Sequence, residues 1–237
     1  MQRILGAMRK AIIDYSMLKN GDSVAVGVSG GKDSLVLLAG LNRLREFIGI
    51  DFTLTAISID PCFDGNETGY GEISALCHTM GISHIIKRSQ LWEILFVTRK
   101  EKNPCSLCAR MRRGMLHDIA KENGCNKLAL GHHKDDAVET FVMNLFYEGR
   151  VGSFQPVSYL SRKDLVMIRP LCLTDEKDIR SAAIKERLPV LGKSCPVDGC
   201  TSRQKVKDWL AAMEKGDYPG LSKRLFGAML RGNISGF

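Results

Sequence analysis

The chain has 237 residues, of which 44% are hydrophobic, with 34 lysines and arginines against 26 aspartates and glutamates for a net charge of +8. Such a chain can fold as one large or two small domains with a sizeable core, which excludes a disordered or low-complexity protein. Apolar runs such as Leu35–Leu38 are far too short to span a bilayer, and Met1-Gln2-Arg3-Ile4-Leu5-Gly6 has no secretion-signal pattern, so a cytoplasmic protein with no membrane partner is expected.

A first helix is predicted over Gln2–Leu18. A β-rich run, Ser23–Val28, then feeds directly into Ser29-Gly30-Gly31-Lys32-Asp33-Ser34, and a helix follows over Asp33–Phe47. A glycine-rich turn between a strand and a helix start gathers backbone N–H groups at the positive end of the helix dipole. Lys32 adds a full positive charge, and Ser29 and Ser34 add hydroxyls. The expected ligand is a phosphate or pyrophosphate. Gly31-Lys32 is followed by Asp33 and residue 26 is Val, so this is not a Walker A loop. Gly27, Gly30 and Gly31 also lack the spacing of a dinucleotide-binding turn.

Further along, strands are predicted at Thr53–Ile59, His84–Lys87, Lys127–Leu130 and Val166–Arg169. Helices are predicted at Glu67–Met80, Pro104–Asn123, Asp135–Tyr147, Asp175–Arg187, Ser202–Lys215 and Tyr218–Leu230. Segment Arg150–Lys163 reads as a loop, as does Lys193–Thr201. Strand–helix alternation predicts an α/β fold: a parallel five-stranded sheet with helices on both faces, plus a C-terminal helical tail. Residues 1–192 would form the nucleotide-binding domain, with a cysteine loop and tail at 193–237 packed on it. Ligands of such sheets collect beyond the C-terminal strand ends. That edge would hold Ser29–Ser34, Asp60 and Gly131-His132-His133, with Asp60 and Asp136 as candidates for ribose or metal contacts and Asp135 as the alternate.

Eight cysteines in a cytosolic chain favour metal or catalytic chemistry over disulfides. Asn103 and Pro104 suit a helix start, so Cys105 and Cys108 fall on one face of the first turns, where the dipole favours thiolates. Two thiols are too few for a closed metal site. A redox dithiol, a zinc site completed by Cys195 and Cys200, and a three-cysteine iron–sulfur cluster all fit this spacing. The positive charge, including Arg110, Arg112 and Arg113 on that helix, suits a polyanion such as RNA. The same arginines also suit the nucleotide or a solvated face.

Ser-Gly-Gly-Lys-Asp-Ser resembles the PP-loop of the ATP pyrophosphatases, which split ATP between the α and β phosphates and adenylate a carbonyl oxygen. Together with Cys105-Ser106-Leu107-Cys108, the later Cys195 and Leu130-Gly131-His132-His133-Lys134-Asp135-Asp136, the chain resembles the tRNA 2-thiocytidine biosynthesis (TtcA) family over nearly its whole length. The resemblance implies an adenine nucleotide alpha hydrolase-like fold, a homodimer, ATP, Mg²⁺, a [4Fe-4S] cluster and tRNA as substrate. It implies sulfur replacing the C2 oxygen of a cytidine, position 32, with sulfur supplied by a donor system such as a cysteine desulfurase. It assigns ATP to Ser29, Gly30, Gly31, Lys32, Asp33, Ser34, Asp60, Gly131, His132 and Asp136. Lys32 and Asp33 would serve catalysis together with Cys105, Cys108 and Cys195, the expected cluster ligands. The family often has Cys-x-x-Cys at the later point, but residue 192 here is Gly and an extra Cys200 lies downstream. Cys200 is therefore the alternate ligand, and a zinc-containing adenylating enzyme is the alternative reading.

Overall fold

The computed structural model describes residues 1–99, 104–192 and 201–237. Six strands form one sheet: β1 (Asp22–Gly27), β2 (Phe52–Asp60), β3 (Ser83–Arg88), β4 (Lys127–Ala129), β5 (Val157–Leu160) and β6 (Leu165–Ile168). Their order is β3-β2-β1-β4-β6-β5. Five strands run parallel, and β5 pairs antiparallel with β6.

Alternation along the strands builds a core on each face. Val24 and Val26 of β1 point into the larger one, and Ala25 points into the smaller. The larger core contains residues of α1 (Gln2–Asp14), α2 (Lys32–Leu44), α3 (Gly71–Thr79), α5 (Lys134–Glu148) and α6 (Glu176–Lys185). The smaller lies beneath α4 (Pro104–Glu122) and a π-helical stretch, Glu93–Thr98. Helices α7 (Ser202–Lys215) and α8 (Leu221–Arg231) pack on α5 through Val206, Leu210, Phe226 and Met229. The tail therefore shares the main core.

Helix α2 is apolar nearly all round. Leu35, Leu37, Leu38 and Leu41 are fully buried, each worth about 1.5–3 kcal/mol of transfer free energy. That burial anchors the helix whose start forms the turn.

The expected five-stranded sheet has a sixth member. Strand β5 lies within Arg150–Lys163, which the sequence presents as a loop. It is a four-residue edge strand, half-buried and hydrogen-bonded on one side, so its alternation is weak. Helix α3 begins at Gly71 rather than Glu67, because residues 61–70 form an irregular loop held by Asp60.

Candidate active site

The segment Gly27–Ser34 leaves β1, turns and enters α2. Gly30 adopts φ +83°, and a Cβ there would meet Leu191 at 2.6 Å. Leu191 N–H also donates to the Gly30 carbonyl at 3.0 Å, so the chain after α6 lies on the loop. Ser34 Oγ accepts from Ser29 N–H at 3.2 Å and donates to the Gly31 carbonyl at 2.9 Å. These bonds lock the turn. Among the described residues no side chain caps α2, so its first N–H groups remain available to an anion. Helix α5 differs: His133 and Asp136 close it with a reciprocal capping box.

Beyond the strand ends lies a cavity of about 340 Å³. Ser29, Asp33 and Ser34 form one wall, Gly131, His132 and Asp136 another, and Ala109, Arg112, Arg113 and Leu116 a third. The last four occupy one stripe of α4, at helical spacing. Cys105 and Cys108 head that stripe in the first turns of the same helix. Cys105 is exposed, and Cys108 packs half-buried against the smaller core. The helix that carries the cysteines therefore also lines the cavity beside the Ser29–Ser34 turn.

The charged groups are extensively paired. Lys32 Nζ lies 3.1 Å from Asp33 Oδ1 and 3.0 Å from Glu176 Oε1. Burial alone would lower the Lys32 ammonium, but the two carboxylates outweigh it and raise it. Burial would likewise raise Glu176, yet hydrogen bonds from Lys207 and Lys32 hold it down to about 2. Asp33 Oδ1 is buried and, despite the nearby ammonium, accepts no well-formed hydrogen bond from the described residues. His133 Nε2 lies 3.7 Å from Asp33 Oδ1 and 3.4 Å from Asp136 Oδ2. Burial depresses His132 to about 4, keeping it neutral at pH 7. Its Nδ1 is buried without a hydrogen-bond partner among the described residues, and its ring packs 5.3 Å from Phe154.

Of the nucleotide-site residues expected from the sequence, Ser29, Asp33, Ser34, Gly131, His132 and Asp136 line this cavity, Gly30, Gly31 and Lys32 lie on the adjoining turn without lining it, and Asp60 stands apart. Asp60 is fully buried at the end of β2, and its carboxylate accepts from Thr68 N–H, Thr68 Oγ1 and Cys62 N–H. It organises the loop after β2 and is not part of the cavity wall. Cys195 and Cys200 lie outside the described residues. Thr201, the first described residue after them, caps α7.

No three His, Cys, Asp or Glu among the described residues converge as metal ligands. The residues present nonetheless fit the implied groups. Mg²⁺ is commonly held by one or two carboxylates plus substrate phosphates, and Asp33 Oδ1 is such an oxygen. Two cysteines on one face of a helix start fit a thiolate-bound group.

A family model described as the PP-loop domain matches residues 4–190. The tRNA-cytidine(32) 2-sulfurtransferase of Geobacter sulfurreducens is 35% identical over 98% of this chain and 90% of its own length. The chain belongs to the tRNA-cytidine(32) 2-sulfurtransferase branch of the PP-loop family. The relative from Syntrophotalea carbinolica is 38% identical, covering 95% of this chain and 86% of that one. The U34-tRNA thiolase NcsA from Methanococcus maripaludis, solved with its [4Fe-4S] cluster, superposes with a TM-score of 0.79 at 29% identity, covering 97% of this chain and 77% of that one. In this PP-loop chain, sequence reasoning missed Glu139 and Glu176. Both look like ordinary helix-surface acids, and only the fold turns them toward Arg203, Lys207 and Lys32.

Proposed function

We propose that the chain is an ATP-dependent tRNA sulfurtransferase that replaces the C2 oxygen of a cytidine, position 32, with sulfur. One observation carries this reading: the helix bearing Cys105 and Cys108 supplies a wall of the cavity that Ser29, Asp33 and Ser34 also line. An activating turn and a thiol-bearing helix sharing one chamber suit a two-stage exchange.

Oxide is a poor leaving group, and adenylation makes the carbonyl oxygen part of a phosphate ester. The β and γ phosphates of ATP rest on the uncapped start of α2. Lys32 turns from its carboxylates toward them and offsets the charge that grows as pyrophosphate leaves. Asp33 would hold Mg²⁺, which when bound would offset phosphate charge, and Arg112 and Arg113 hold the α-phosphate or the RNA backbone from the opposite wall. His132, kept neutral by burial, contributes hydrogen bonding without adding charge. Cys105, Cys108 and Cys195 would hold a [4Fe-4S] cluster, which when bound supplies a thiophilic metal corner for the incoming sulfur. The C2 oxygen attacks the α-phosphorus as pyrophosphate leaves; hydrosulfide then attacks C2 and loses its proton, the C–O bond breaks and AMP leaves with the oxygen. A donor system such as a cysteine desulfurase provides the sulfur as a persulfide, from which a thiol reductant releases hydrosulfide with formation of a disulfide, and the family resemblance suggests a homodimer.

Nucleoside mass spectrometry of tRNA from a deletion strain tests the proposal. 2-Thiocytidine should disappear and return when this chain is supplied. Its persistence in the deletion strain would refute the assignment.

A further inference from the structure

Glu176 joins two cations from separate parts of the fold. Its Oε1 lies 3.0 Å from Lys32 Nζ on the anion-binding turn, and its Oε2 lies 2.7 Å from Lys207 Nζ on α7. Arg180 adds a contact at 3.5 Å from its own helix. The Glu176 side chain is only 14% exposed, against 26% for Lys32 and 39% for Lys207. Its backbone N–H donates to Asp135 Oδ2 at 2.7 Å, so the carboxylate stands on a fixed base at the start of α6. Helix α7 is pinned nearby by Arg203, which lies 3.1 Å from Glu139 and 3.6 Å from Asp136.

We propose that Glu176 is the resting partner of Lys32, and that Lys207 keeps Glu176 paired when Lys32 turns to the phosphates of ATP. The idea rests on the ATP-dependent reading above and adds a positioning role for a residue of α7. The physical reason is desolvation. A carboxylate this buried is costly to leave without a cation. If Lys32 were its sole partner, each nucleotide would have to strand Glu176 in order to bind. With Lys207 already on the other oxygen, Lys32 can leave cheaply. Lys207 would thus govern nucleotide affinity without touching nucleotide. Because Lys207 belongs to α7, the docking of that helix and the filling of the turn become linked.

The proposal is tested with Mg²⁺ and α,β-methylene-ATP, whose α–β bridge resists cleavage, bound to the full chain and measured by calorimetry. Lys207→Met should weaken binding roughly tenfold, the cost of a partly uncompensated carboxylate. Glu176→Gln removes the charge that would be stranded. The double variant Lys207→Met/Glu176→Gln should therefore recover the affinity of Glu176→Gln alone. Circular dichroism and thermal melts check that each variant folds. Were Lys207 a direct phosphate ligand or a merely structural residue, the double variant would remain as weak as Lys207→Met or weaker, which would overturn the proposal. Unchanged affinity in a folded Lys207→Met would also overturn it. Failure of the wild-type chain to bind the analogue would instead sink the ATP reading itself, and this proposal with it.

Discussion

Gly131 packs directly on the backbone of Asp33: a Cβ at Gly131 would lie 3.0 Å from the Asp33 carbonyl carbon and 3.2 Å from its oxygen. The turn after β4 and the turn after β1 thus touch main chain to main chain, and this contact sets the cavity width. Backbone cannot move aside as a flexible side chain can. Gly131→Ala should cost about 1–3 kcal/mol of stability, the usual range for overpacking, and should weaken nucleotide binding. Urea unfolding and analogue binding measure both. A variant as stable and as tight as wild type would show that the contact is slack.

Lys32→Ala should abolish AMP and pyrophosphate formation while leaving metal content intact. Glu176 retains Lys207, so the fold should survive the loss of Lys32. Pyrophosphate-release assays and iron analysis on the same preparation check this. Loss of both together would argue against separate nucleotide and metal sites.

Cys105→Ser and Cys108→Ser should each lose iron and thiolation yet still bind nucleotide, because the anion-binding turn belongs to other elements. Anaerobic purification should give wild type with about four irons per chain and both variants nearly colourless. Stoichiometric zinc in wild type would favour the adenylating-enzyme alternative instead.

Acid sensitivity should divide into two windows. His132 titrates near 6.5 when unfolded and at about 4 in the fold. Between those values the unfolded chain binds the extra proton, so stability falls as pH drops from about 6.5 toward 4. His132→Gln should flatten that limb. The depressed Glu176 carboxylate stabilises above its unfolded value near 4.3, and that contribution is lost as pH falls toward about 2. Glu176→Gln should flatten the lower limb, by less than full burial would give because the group is partly solvated. Urea melts across pH read both. An unchanged upper limb in His132→Gln would remove the histidine from the explanation.

Much of this molecule is legible in its residues. Ser29–Ser34 announces itself because a lysine and two serines around paired glycines match what an anion needs from a strand-to-helix turn. The five parallel strands follow from strand–helix alternation. Edge strand β5 does not, since a short half-exposed strand has little pattern to display. Asp60 illustrates a different limit: its position at a strand end is visible in the sequence, but its commitment to Thr68 and Cys62 is not. The Lys32–Glu176–Lys207 bridge joins residues far apart in sequence, and only packing of α2, α6 and α7 brings them together.

The most direct test is thiolation by the purified chain, reconstituted anaerobically with iron and sulfide and supplied with ATP, Mg²⁺, sulfide and unmodified tRNA. The account predicts 2-thiocytidine by nucleoside mass spectrometry, formed only with ATP and absent with Lys32→Ala or Cys105→Ser. A protein that binds both iron and ATP yet leaves every cytidine unthiolated, or one that thiolates without ATP, would contradict it.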